Sequence, residues 1–211
     1  MIIDLSHTIK KGMPIYPESS PIGIVDLELF DQYGVHVQEY TLDGHVGTHI
    51  DVPAHLFAAG FTTETMDISM FMGKAQILDC SNYGSGEIIG LEALDQLNDI
   101  DYPDFILIHT GWSKYWGVET YFKDYPVASE ELIHKLSETK IKGVGLDTVS
   151  IDSIEANHLP NHKIFLGSNK IIIENLMNLE VLKGKTFHFS CLPLKIQNGD
   201  GSPVRAVGIV E

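Results

Sequence analysis

The stretch Gly44-His45-Val46-Gly47-Thr48-His49-Ile50-Asp51-Val52-Pro53-Ala54-His55 gathers three histidines and an aspartate in a short span. His45, His49, Asp51 and His55 all have odd numbers, so a straight strand would put 45, 49 and 51 on one face. His45 and His49 would then stand about 13 Å apart, at the limit of what two imidazoles can bridge to one ion. A helix would bring them together at i, i+4 but swing Asp51 to the far side. Neither regular structure serves all three groups. Gly47 permits a tight bend between the first two histidines. Thr48, Ile50 and Val52 favour extension after it, so His49 and Asp51 point the same way. Pro53 then breaks pairing and redirects the chain toward His55. These residues predict a turn followed by a short extended piece. His45, His49 and Asp51 converge on a metal, and His55 stands beside it.

Outward from this stretch, glycine and proline punctuate the chain, so the elements are short. Strands are expected at Ile2–Leu5, Val35–Leu42, Lys74–Cys80, Phe105–His109, Gly143–Asp147, Phe187–Leu192 and Val204–Val210. Residues 11–23 hold Pro14, Pro17 and Pro21 and read as an ordered arm. Helices are expected at Glu87–Leu97, where Leu91, Leu94 and Leu97 share a face, and at Glu130–Glu138. The second has Ser129 as N-cap, acids in its first turn and the stripe Leu132, Ile133, Leu136. A third follows Pro160 through His162 to Leu166. The mixture is α/β with sheet dominating, and 211 residues without repeats or linkers fit one domain, 1–211.

Composition narrows the function. Lys and Arg number 14 against 29 Asp and Glu, a net charge of -15. A phosphate backbone would be repelled, so nucleic acid is excluded as a partner. No apolar run reaches the roughly 20 residues of a membrane span, and the N-terminus lacks a secretory h-region. A cytoplasmic location is expected. The two cysteines, Cys80 and Cys191, lie in apolar runs and read as buried core thiols. With ten histidines against two cysteines, a metal site must be built from nitrogen and oxygen, which suits zinc, manganese or iron. Glu174 stands alone among Ile171, Ile172, Ile173 and Leu176. A carboxylate there needs a cation or a donor to stay ionised. His7, His36, His134 and His188 read as structural or surface residues, and His109 is left open. Trp112 and Trp116 read as core or pocket lining. Ser6, Ser150 and Ser190 lack a nucleophile-elbow context.

The pattern His45-x-Gly47-Thr48-His49-x-Asp51-x-Pro53-x-His55 resembles the HxGTHxDxPxH signature of the metal-dependent cyclase superfamily, which includes the bacterial kynurenine formamidases. Further motifs resemble it in order along the chain. They are Asp4-Leu5-Ser6-His7, Met13-Pro14-x-Tyr16-Pro17, Thr110-Gly111-Trp112, Gly145-Leu146-Asp147-Thr148-x-Ser150-x-Asp152, Pro193-Leu194-Lys195-Ile196 and Gly201-Ser202-Pro203-Val204-Arg205-Ala206. The resemblance implies a swivelling β/β/α fold, assembled as a homodimer or homotetramer. It implies that His45, His49 and Asp51 hold one divalent metal. Asp51 would bridge to a second, completed by a later histidine and Glu174. His162 fits the family pattern for that histidine, and His158 is the alternative. Zinc, two per subunit, is expected, with manganese also suited. His55 would act as general acid and base. Tyr16 stands where the formamidases carry a tryptophan against their aromatic substrate.

Together these features predict a metal-dependent hydrolase of a small amide, with an aryl formamide such as N-formylkynurenine as leading substrate. The alternatives are an isatin-like lactam, a lactone, or a metal-binding protein without catalysis.

Overall fold

Phe105–His109 is apolar through Ile108 and is buried along its whole length. Such a strand needs cover on both faces, as in a parallel sheet. A computed structural model, which describes residues 1–17, 19–97, 103–156 and 158–210, contains that sheet. In chain order its strands are β1 (Ile2–Asp4), β2 (Gly23–Glu28), β3 (Val37–Thr41), β4 (His49–Asp51), β5 (Met72–Asp79), β6 (Ile88–Ile89), β7 (Phe105–His109), β8 (Val127–Ala128), β9 (Gly143–Leu146), β10 (Ile171–Glu174), β11 (Phe187–Ser190), β12 (Gly201–Pro203) and β13 (Val207–Ile209). The α-helices are α1 (Phe30–Tyr33), α2 (Glu130–Ser137) and α3 (Pro160–Gly167).

Nine strands form one sheet in the order β1-β13-β11-β5-β7-β9-β10-β4-β12. Its centre, β5-β7-β9-β10, is parallel, and the flanking pairs are antiparallel. Side chains alternate across the central strands. Ile106, Ile108, Val144 and Ile172 face the helices and pack on Leu132, Ile133 and Leu136 of α2 and Phe165 and Leu166 of α3. Phe105, Leu107, Ile171 and Ile173 face the other way and meet Leu5, Ile50, Phe187 and Phe189. The sheet curls around this second core. Its β12 end connects to β13, near the opposite end, through residues 204–206 alone, which can span at most about 14 Å. This is the expected sheet-dominated α/β architecture, with helices on one face and the sheet's own curl closing the other.

Local expectations differ from the structure in two places. Glu87–Leu97 is not an α-helix. Ile88–Ile89 pairs with β8, and Leu91–Gln96 winds as a 3₁₀ turn. Leu91, Leu94 and Leu97 recur every third residue, the 3₁₀ period, and Gly90 lies in extended conformation before them. The expected strand Val204–Val210 is confined to β13, because Val204 is diverted to donate its N–H to the Thr48 carbonyl. The helix after Ser129 forms as the capping residues dictate, with the Ser129 hydroxyl accepting from the Leu132 N–H at 3.1 Å. Both cysteines are buried, and burial pushes the Cys80 thiol up to about 12.

Candidate metal centre

The site starts at the bend. Residues 44–48 turn, with Gly47 in the left-handed region at φ +64°, and the chain extends through His49–Asp51. The Thr48 hydroxyl anchors the bend by donating to the Asn175 carbonyl at 2.6 Å. On one side β4 pairs antiparallel with β10, setting His49 opposite Glu174. On the other side it pairs with β12, setting Asp51 opposite Gly201. After β4, Pro53–His55 forms a 3₁₀ turn that swings His55 back over the site. Gly60 makes that turn possible, since a Cβ there would stand 2.5 Å from the Pro53 carbonyl carbon.

Among the described residues three groups of donor atoms result, each with its donor atoms within 4.8 Å of one another: His45/His49/Asp51 and Asp51/His162/Glu174 inside the fold, and His45/His55/Asp200 at the rim. Asp51 belongs to both inner groups. Its Oδ1 lies 2.6 Å from His45 Nδ1 and 3.4 Å from His49 Nε2, and its Oδ2 lies 3.5 Å from His162 Nε2. Glu174 closes the ring, 3.4 Å from His162 Nε2 through Oε1 and 3.6 Å from His49 Nε2 through Oε2. Most of these separations exceed a hydrogen bond. They match the edge of a tetrahedron drawn around an ion with ligands at about 2.1 Å, roughly 3.4 Å. Nitrogen and carboxylate donors at that spacing fit a divalent cation of the zinc or manganese type.

Outer contacts fix which nitrogen faces inward. His49 Nδ1–H donates to the Gly47 carbonyl at 2.8 Å, and His162 Nδ1–H donates to Asp152 Oδ2 at 2.7 Å. Each leaves Nε2 for the centre, the usual arrangement behind a metal-binding histidine. Glu174 Oε1 also accepts from the Ile151 N–H at 2.9 Å. His45 is held between Asp51 and Asp200, with Nε2 2.9 Å from Asp200 Oδ2. Burial opposes charge on His45, yet Asp51 and Asp200 outweigh it and raise its pKa to about 10. The same contest raises His49, beside Asp51 and Glu174, and raises His162, beside Asp152, Asp51 and Glu174.

His55 sits at the rim. Its ring lies 4.2 Å from that of His45 and 5.9 Å from that of His162, and its Nδ1 is 3.3 Å from Asp200 Oδ2. The cavity above the cage is about 260 Å³, walled by Pro14, Ile15, Tyr16, Trp116 and Phe122. His158 is exposed, at φ +75°, outside both donor groups. The open case of His109 resolves to structure: its Nδ1 donates to Asp147, which also accepts from Thr110 and Gly111 and so pins the turn before Trp112. His7 stacks flat on Trp116 at 3.9 Å, and burial lowers its pKa to about 4.

Sequence reasoning missed Asp200. It lies between two glycines and reads as a plain turn, yet β12 carries it to His45 and His55. Gly201 is the available signal, since a Cβ there would stand 2.7 Å from His45 Cε1. Asp152 stands within a motif without any assigned role, and only the fold places it behind His162.

The chain is similar to known proteins along nearly its whole length. The chain is 33% identical to the Methanocaldococcus jannaschii protein MJ0783 over 210 residues, 99% of both chains. It is 29% identical to the kynurenine formamidase of Geobacillus thermodenitrificans over 97% of this chain and 95% of that one. Isatin hydrolase A from Labrenzia aggregata superimposes with a TM-score of 0.87 at 25% identity, covering 100% of this chain and 93% of the other. Among the described residues no helix is long and apolar enough to cross a membrane. The Cyclase family profile matches residues 3–153, and the chain belongs to that family.

Proposed function

We propose that this chain is a metal-dependent hydrolase of a small aryl amide, with N-formylkynurenine the first substrate to test. The observation that carries the reading is Asp51, whose two oxygens face two separate donor groups on the floor of an aromatic-walled cavity. In this reading His45, His49 and Asp51 hold one divalent cation, and Asp51, His162 and Glu174 hold a second, zinc or manganese. Cations held by these residues would supply Lewis acidity, which lowers the pKa of bound water from 15.7 to about 7.

The chain's own residues do the rest. Asp51 and Glu174 supply the negative charge that keeps the cage filled. Asp200 accepts from His55 Nδ1–H, leaving Nε2 free to take the proton of the attacking water. The same nitrogen returns that proton to the leaving amine as the C–N bond breaks, so water and amide become aryl amine and formic acid, which ionises to formate and a proton. Tyr16 and Trp116 offer aromatic faces to the ring of the substrate.

The kynurenine formamidase relatives favour the formamide. The isatin hydrolase likeness favours a second reading, opening of an isatin-like lactam by the same machinery. Metal-stripped protein, reloaded with zinc or manganese and offered N-formylkynurenine, isatin and simple aryl lactones, separates them. Formate and kynurenine as products support the first reading, and a ring-opened acid supports the second. Stoichiometric metal with no turnover on the whole panel would leave a metal-binding protein without catalysis and overturn both.

A further inference from the structure

Asp200 is a carboxylate that neither inner donor group uses. Its Oδ2 alone meets two imidazole nitrogens, His45 Nε2 at 2.9 Å and His55 Nδ1 at 3.3 Å. The two rings lie 4.2 Å apart and are tilted by 42°. Both nitrogens therefore turn toward one oxygen. The bend before β4 supplies His45, the 3₁₀ turn after it supplies His55, and the residue before β12 supplies Asp200. These three donors stand within 4.8 Å of one another. His45 serves both sides, since its Nδ1 faces Asp51 at 2.6 Å while Nε2 faces outward.

We propose that this rim group is a third cation site, which switches the protein off when zinc is in excess. Two imidazole nitrogens and one carboxylate oxygen suit zinc, nickel or copper better than manganese, magnesium or calcium, which favour oxygen. The rim holds its ion more weakly than the cage. Asp200 is half-exposed and keeps water around its charge, whereas Asp51 and Glu174 are buried and need a counter-charge. The rim therefore fills only after the cage.

The consequence falls on His55. A cation on Nδ1 moves the ring proton to Nε2. The nitrogen that takes the proton of the attacking water then already carries one, and the base is lost. His45 gives its Nε2 proton to solvent and bridges the rim ion to the cage. This inhibition rests on the proposed function, whereas the site itself does not.

Equilibrium dialysis of the full chain against rising zinc, read by atomic emission, counts bound ions without any substrate. Wild type should fill two equivalents and then a third, more weakly held. Asp200→Asn should lose the third and keep the other two. Manganese in place of zinc should stop at two in the wild type. If Asp200→Asn does not fold, His55→Ala tests the same site, because His55 belongs to neither inner donor group. A wild-type chain that stops at two zinc ions overturns the proposal. So does a zinc occupancy that a folded variant leaves unchanged, or manganese that fills the third position as readily as zinc. Where turnover is found, wild-type activity should fall toward zero as the third ion binds and return once excess zinc is dialysed away. The residual activity of Asp200→Asn should stay level over the same range. A third ion bound with wild-type activity unchanged overturns the inhibition. A third ion that the variants lose, in a protein that hydrolyses nothing, counts against the proposed function alone.

Discussion

Asp152 never reaches the cavity, yet its replacement by Asn should weaken one cation position selectively. Its carboxylate is buried and accepts three bonds, from the Asn161 N–H at 2.8 Å, the His162 N–H at 3.1 Å and His162 Nδ1–H at 2.7 Å. An amide keeps one accepting atom. Its NH2 must then face either Asn161 or His162, and a buried donor left without an acceptor costs about 1–3 kcal/mol. If the amide keeps its bond to the helix, the His162 ring loses the acceptor that points Nε2 at Asp51 and Glu174. Losing such an outer partner lowers metal affinity about 10–100-fold, equivalent to about 1.4–2.8 kcal/mol. Calorimetric zinc titration of metal-stripped Asp152→Asn should show one equivalent bound as in wild type and one weakened by that factor. Thermal melting monitors the fold in parallel, because the same carboxylate caps α3. Superimposable titrations would refute the reasoning. So would equal loss of both equivalents, since Asp152 touches only one donor group.

His55→Ala should lower kcat about 10²–10⁴-fold while metal content, read by atomic emission, stays at the wild-type value; loss of metal instead would make His55 a ligand. Gly201→Ala should destabilise by about 1–3 kcal/mol in chemical denaturation, because the new methyl meets both the His45 ring and the Ile50 carbonyl. Metal-free protein should lose stability as pH rises from about 6.5 toward 10. The pKa of His45 is raised in the fold to about 10, so its stabilising charge is fully present below its unfolded value of 6.5 and is lost on approaching 10. Zinc-loaded protein should lack that decline, since the cation takes the place of the proton; parallel melting curves across that range check both halves.

Much of the site was legible because it is local. The bend at Gly47 and the extension through Thr48, Ile50 and Val52 follow from backbone preferences inside one short stretch. The buried strand Phe105–His109 and the helix after Ser129 follow from equally local patterns. The mismatch of a carboxylate among isoleucines called for a cation or a donor, and the family resemblance gave the ligand role to Glu174. Its position opposite His49, however, is a matter of register between strands 125 residues apart, and no local preference sets that register. Strand β2 went unread because Gly23–Glu28 mixes Asp and Glu with its apolar residues and finds its partner only in β3. The Leu91 stripe misled because a spacing of three serves a 3₁₀ turn as well as one face of an α-helix.

What the curl of the sheet adds is convergence on a strand of three residues. β4 is bordered by β10 on one side and β12 on the other. The first neighbour brings Glu174 to His49, and the second brings Asp200 to His45 and His55. A carboxylate thus arrives from each side of a strand that already carries Asp51, and a fourth, Asp152, stands behind His162. Asp200 is half exposed, but Asp51, Asp152 and Glu174 are buried, and those three cannot all be charged without counterions. Raised histidine pKa values express that constraint in the metal-free chain, and divalent cations satisfy it with fewer particles and open coordination positions. The demand for cations is therefore set by strand order: exchanging the neighbours of β4 would leave its HxxxHxD segment intact and remove the charge that makes it a candidate metal centre.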